Sequence, residues 1–326
     1  MNGQCHMRIL VFFLVLVFSL SAGNAHMSEM NLERRSAAAA LFERFETVFY
    51  GEMGLVFRSG SYDQLSEDDS NFLRVPFALL LSGLDTLGEA TAAEMLASGA
   101  AVLVGARDFR TPKGLGAVHS QFCYVVVLRS GSAFDLSKYF SQWPSTSERG
   151  MPVWKWSANL GEFGEGDPRP STLYASQIGQ SYLLFSNNLS ELRAMGERLS
   201  SGKQDARILD GIRDWGLVSQ HKLWGYRRYR HAGIVNRDAS GMTGVTRGAE
   251  ALMYFFDEEK KSSVLRLLSS PKDEGTAFNI SSNIYMPRMK PVGAGAWETV
   301  FPLAGDEDTF ERLAFVMGLF GFGVYA

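Results

Sequence analysis

Cysteine is almost absent. The 326-residue chain has two, Cys5 and Cys123. Cys5 lies ahead of an apolar run that reads as a removed leader, so one thiol remains afterwards. An exported chain with a single cysteine has no intrachain disulfide and must be stabilised by burial. Cys123 sits in FCYVVVL, an apolar strand, and reads as an inert buried thiol. Histidine is scarce too. His26, His119, His221 and His231 follow the leader without paired spacing, so no metal site is expected. The chain lacks H-E-x-x-H, a phosphate-loop signature and G-x-S-x-G. Gly114 and Gly116 make only a turn, since His119 stands where a dinucleotide fingerprint needs its third glycine; no cofactor is expected. Glu162, Glu165 and Asp167 crowd one loop, but the alternating order of a calcium loop is missing. The formal net charge of −3 is too mild to call for nucleic acid as a partner.

Long apolar runs are missing as well, with one short exception. Arg8 precedes Ile9 to Phe18, and small residues follow at Ser21, Ala22, Gly23 and Ala25. A basic flank, a short apolar core and a small-x-small end predict a signal peptide over 1–25, cleaved after Ala25. The run is too short to span a bilayer, which takes about 20 residues. The mature chain then begins at His26 and belongs in the periplasm or outside the cell. The uncharged C-terminal stretch 313–326, LAFVMGLFGFGVYA, is also too short to span and reads as a packed helix and strand. A weak contact with a membrane surface is its other expected role.

Local patterns are most regular from Thr172 to Leu199. Gly179-Gln180 suits a two-residue hairpin turn, and Tyr182 to Phe185 makes a strand apolar on both faces. Asn188 is placed to cap a helix, with Glu191 reaching back as in a capping box. Leu189, Leu192, Met195 and Leu199 form that helix's apolar stripe. Ala100 to Gln142 repeats the pattern of two strands and a helix. Glu250 to Asn279 does so if 250–270 is a hairpin around the polar Asp257–Lys261 turn. Elsewhere, Glu29 to Phe49 predicts a helix ending near Gly51, Gly54 to Phe57 a short strand, and Met151 to Ala158 a strand with one covered face. Ile284 to Val300, with Pro287 and Pro291, reads as irregular. The expected fold is α+β, with antiparallel sheets built from repeated hairpin-then-helix units and helices covering them. It falls into two halves, 26–200 and 205–326, joined by the polar linker Ser200 to Gln204.

One stretch stands apart: Lys222 to His231, KLWGYRRYRH. As a strand it puts Trp224, Tyr226, Arg228 and Arg230 on one face, and Arg227, Tyr229 and His231 on the other. Charge on both faces argues for an edge or exposed segment. Arginine beside aromatic rings can take an anion or a carbohydrate by bidentate hydrogen bonds and stacking. Trp224, Tyr226, Arg228, Arg230 and His231 are therefore the candidate binding residues. The same arginines can instead pair with carboxylates or lay their stems along an edge strand. No catalytic residue is identified.

The segments LASGAAVLVGARDF, CYVVVLRSGSAFDLSKYF and YASQIGQSYLLFSNNLSELRAM, in that order, resemble exported bacterial proteins of unknown function with tandem β-hairpin-plus-helix units. The resemblance implies an envelope location and brings no activity or catalytic residue. The expected function is a non-enzymatic binding or scaffolding protein of the bacterial cell envelope, acting on an unidentified protein, anionic or carbohydrate partner. The alternative is a periplasmic hydrolase whose acid and base meet only in three dimensions.

Overall fold

A computed structural model describes residues 35–56, 72–77, 99–109, 121–130, 140–141, 143–148, 150–158, 171–202, 207–229, 249–269, 289–293, 295–303, 309 and 312–313. Twelve strands run through them: β1 (Thr47–Glu52), β2 (Gly99–Phe109), β3 (Gln121–Ser130), β4 (Ser145–Glu148), β5 (Met151–Ala158) and β6 (Ser171–Ile178), then β7 (Tyr182–Ser186), β8 (Leu223–Arg228), β9 (Ala249–Asp257), β10 (Ser262–Ser269), β11 (Lys290–Gly293) and β12 (Ala296–Pro302). All pair antiparallel in one sheet of order β11-β12-β10-β9-β8-β1-β2-β3-β7-β6-β5-β4.

This corrects the expected architecture. The hairpins do not build separate sheets with a helix on each. β3 carries β2 on one side and β7 on the other, and β1 joins β2 to β8, so every strand belongs to one ladder. The physical reason is edge satisfaction. A lone hairpin leaves two rows of backbone donors and acceptors unpaired, and side-by-side docking satisfies them. Strands β2–β3, β6–β7 and β9–β10 form the expected hairpins, and the helix expected after β7 is present. The helices expected near 135–142 and 273–279 lie mostly or wholly outside the described residues.

The same strand order occurs twice. β1-β2-β3-β7-β6 from the first part of the chain is matched by β8-β9-β10-β12-β11 from the second, and the two runs meet where β1 pairs β8. The hairpin β4–β5 lies outside this matched order and extends only the first run.

Both sheet faces are packed. On one, Phe49, Val104, Val126, Phe185, Tyr254 and Phe301 meet Phe72, Phe77 and Phe140. On the other, two helices lie across the strands. Helix α1, residues 35–44, presents Ala37 to Ala40, Leu41 and Phe42, all essentially without solvent contact. Its run of alanines combines high helix propensity with small side chains, letting the helix lie close to the sheet. Helix α2 (Leu189–Ser201) buries Leu192 and Met195 and is capped at Gly202 in the left-handed region, φ 62°. Single turns at Arg207–Asp210 and Trp215–Val218 complete that side.

Several boundaries differ from expectation. The N-terminal helix gives way to β1 at Thr47, because Thr47-Val48-Phe49-Tyr50 are β-formers with strand partners on both sides. Met53–Val56 is a helical turn, not a strand. The stretch expected to be irregular holds β11 and β12, where Trp297, Thr299 and Phe301 alternate on one face. No described helix is long and apolar enough to cross a membrane.

Candidate functional site

The arginine-aromatic segment is not an edge. β8 lies between β1 and β9, with Tyr50 and Phe255 opposite Trp224. Trp224 is fully buried and Tyr226 nearly so. Trp224 stacks on Tyr50 (centroids 5.7 Å, 21°) and on Phe42 (6.5 Å, 4°), and meets Trp215 edge-on at 5.1 Å. Aromatic pairs in these geometries add to the energy of area burial. Tyr226 donates its hydroxyl to Arg213 O at 3.0 Å, and burial pushes its ionisation well above the usual tyrosine value.

Arg228 resolves the puzzle of a charge in a central strand. Its Nη2 donates to Phe42 O and, at 3.4 Å, to Phe45 O, while the guanidinium lies 5.3 Å from the Phe42 ring centroid. It thus satisfies carbonyls at the C-terminal end of α1, where orphan acceptors and the helix dipole both favour a cation. On the opposite face Arg227 lies over the Tyr229 ring at 5.3 Å. The faces alternate as the sequence predicted, but they hold helices and core, and Trp224 and Tyr226 offer no ring face to a ligand. Arg230 and His231 lie outside the described residues, as do His26, His119 and the acidic loop at 159–170.

A different place is open to contact. A groove of about 320 Å³ is lined by Glu148, Met151, Arg193, Gly196, Glu197, Ser200 and Ser201. Helix α2 forms one wall, and the facing ends of β4 and β5, at Glu148 and Met151, form the other. Asn188 starts that helix, its Oδ1 accepting from the backbone of Ser190 (3.0 Å) and Glu191 (3.2 Å). The other half of the expected capping box is spent elsewhere. Asn188 N donates to Ser186 Oγ, and the buried Glu191 carboxylate takes Arg44 of α1 in a two-pronged pair, with Nη2 at 2.9 Å. Arg198 pairs with Glu43, so α1 and α2 are tied twice.

These ties fix the helix over the sheet end. A Cβ at Gly196 would meet Met151 Sδ, in the outer part of a flexible side chain, and Ile178 Cδ1 at 3.3 Å, so glycine lets α2 lie on the start of β5 without moving either. Arg193 reaches across the groove mouth to Glu148 at 2.6 Å. That pair is part-exposed, and such pairs contribute about 0–1 kcal/mol, so it shapes the site more than it stabilises the fold. Ser200 and Ser201 donate their hydroxyls to Gly196 O (2.7 Å) and Arg198 O (3.0 Å) of their own helix. The groove therefore holds two carboxylates, one guanidinium and two back-bonded serines.

His221 is the described histidine. It stacks on Phe255 at 4.4 Å, and burial holds its pKa below the ordinary 6.5 despite the nearby Asp257 and Glu258 carboxylates. Among the described residues there is no cluster of three or more metal-ligating side chains.

Sequence reasoning missed the groove because its residues are commonplace. Glu148 on β4 and the pair Arg193 and Glu197 on α2 belong to two separate local contexts, and only the docking of β4–β5 under α2 gathers them. Gly196, a glycine inside a helical stripe, was the available signal.

No family model matches the chain, and no curated protein matches it. Among solved structures it is similar to TP0453 in two crystal forms. With form I the TM-score is 0.42 at 10% identity, covering 85% of this chain and 94% of that one. With form III it is 0.42 at 11%, covering 84% and 94%.

Proposed function

We infer that the chain is a non-enzymatic binding or scaffolding protein of the bacterial cell envelope, and that its contact region is the β4–β5 end with the α2 groove. The observation that carries this reading is the composition of that groove: charged and hydroxyl groups face solvent on a floor of Met151 and Gly196, while the arginines of β8 are spent on packing. At about 320 Å³ and with a mainly charged and hydroxyl lining, the groove is smaller and more polar than the usual apolar ligand pocket, which favours contact with a polar partner surface over an enclosed small molecule. The basic, apolar and small-residue pattern expected to make 1–25 a signal peptide supports the envelope location.

Two measurements test it. Sequencing the N-terminus of the exported protein should start at His26; an intact Met1 overturns the location. A photo-crosslinking residue placed in intact cells at Glu197 or Ser200 should give discrete adducts that Arg193→Glu removes. The same residue at the exposed Val300, across the sheet, should give none. Adducts equal at both places, or unaffected by Arg193→Glu, contradict the assignment.

A further inference from the structure

Five methionines lie among the described residues, and four of them are sealed. Met53, Met195, Met253 and Met289 are at most 4% exposed. Met151 is the exception. It is half-buried at the start of β5, packs at the margin of the core under α2, and lines the groove. It is also the one apolar side chain there, since the rest of the lining is charged, hydroxyl-bearing or glycine.

A thioether in that position has two uses. Its soft, unbranched chain adapts to the surface that meets it, which makes methionine a common anchor at contact surfaces. It is also open to two-electron oxidation. A sulfur lone pair attacks a peroxide: the S–O bond forms as the O–O bond breaks, the thioether becomes a sulfoxide, and hydrogen peroxide is reduced to water. The helix side of Met151 Sδ is closed, because even a Cβ on Gly196 would meet it. The added oxygen is therefore left on the groove side. Arg193 lines that groove, and its Nε is buried with no hydrogen-bond partner while its Nη2 holds Glu148. Oxidation thus replaces an apolar floor by a polar acceptor in a groove that has a donor to spare.

We propose that Met151 is an oxidation-responsive modification site: its conversion to the sulfoxide by a peroxide removes the apolar anchor of the groove contact and releases the partner. A sulfoxide reductase reverses it, its dithiol taking the oxygen as water and closing to a disulfide. This rests on the binding reading above and names its regulation. A sulfoxide in a sealed core would disrupt packing, but at Met151 the oxygen meets the open groove, so the contact is lost and the fold is kept.

The test treats the whole protein with hydrogen peroxide and resolves each methionine by peptide mass spectrometry. Met151 should oxidise at least about tenfold faster than Met195 or Met253, which react only when the molecule opens. In cells carrying the photo-crosslinking residue at Glu197, peroxide should abolish the groove adducts. Dithiol and sulfoxide reductase added to the permeabilised cells should bring them back. Met151→Leu, apolar and similar in volume, should keep its adducts under peroxide. Met151→Gln, polar and of like length, should lack them without peroxide while keeping the wild-type denaturation midpoint. Oxidation of Met151 no faster than of the sealed methionines overturns the proposal. So do adducts that vanish under peroxide equally in Met151→Leu, or that the reductase fails to restore; the reductase arm decides alone if the leucine variant misfolds. Adducts that persist through complete oxidation of Met151 leave the binding reading standing and remove only this one; no adducts before treatment remove both.

Discussion

At the β1–β8 seam, a strand of tryptophan, tyrosine and arginine lies buried between two others; at the β4 end, a strand of serine, threonine and glutamate faces solvent beside a groove. The seam strand has the composition of a recognition surface and forms the core of the sheet. The end strand has the composition of a loop and is open to contact. The difference teaches that arginine and aromatic residues report packing wherever a helix end or a ring needs a cation, and Arg228 over Phe42 meets both needs at once.

The comparison is broken most directly at Trp224. Truncation to alanine should cost about 3–5 kcal/mol, the range for emptying a large aromatic site. Glu197→Ala in the groove should change stability by no more than about 0.5 kcal/mol, as exposed substitutions do. Chemical denaturation of the two variants decides it, and similar losses would erase the distinction between seam and end.

The link between the regions is next in size. Arg44→Ala leaves the Glu191 carboxylate buried without its guanidinium and should cost about 2–3 kcal/mol, less than a fully buried pair because Arg44 is part-exposed. The pairwise replacement Arg44→Met with Glu191→Leu should recover most of that loss, since the desolvation of both charges disappears. Failure to recover would mean that the pair holds α2 in place by direction, not merely by neutralisation.

Gly196→Val comes third. Overpacking against Met151 should cost about 1–3 kcal/mol, toward the low end because the Met151 side chain can swing aside, and should displace that side chain from the groove floor. Groove crosslinking should fall with it, while near-ultraviolet signals from the Trp224 cluster stay unchanged.

The smallest effect sits at His221. Burial depresses its pKa, so below pH 6.5 the unfolded chain binds more protons than the folded one. Stability is complete above pH 6.5 and declines as the pH falls toward the folded value. His221→Phe should flatten that slope in denaturation curves taken between pH 5 and pH 7, a window about the ordinary histidine value. Asp257 and Glu258 act in the opposite direction; an unchanged slope would show that they offset burial, and a steeper one that they outweigh it.

Local elements were legible where one strong signal decided them. The Asn188 cap, the turn starting at Gly179 and the polar break at Asp257–Lys261 each carry their own chemistry, and the structure has an element boundary at each, although the first turn has three residues, 179–181, where Gly179-Gln180 alone was expected. Sheet order was not legible. That β3 takes β7 and β1 takes β8 depends on which apolar faces and backbone edges meet across long stretches of chain, and period-two alternation is the same for any partner. β12 was hidden by Pro291, Gly293 and Gly295 around its edge, although Trp297, Thr299 and Phe301 kept the alternation. Of the candidate site, alternation along β8 was read correctly and its location was not. Charge was taken to mean solvent, and an arginine that caps a helix breaks that rule.

The division between seam and end is tested most directly by amide hydrogen exchange of the whole protein, resolved to short peptides. The account predicts that the amides of Trp224 to Tyr226 exchange only with global unfolding, alongside those of β1 and β9. Those of Ser145 to Ser147 should exchange far faster. Exchange in β8 as rapid as in β4 would contradict it, returning the arginine-aromatic strand to the surface and removing the ground for placing contact at the β4 end.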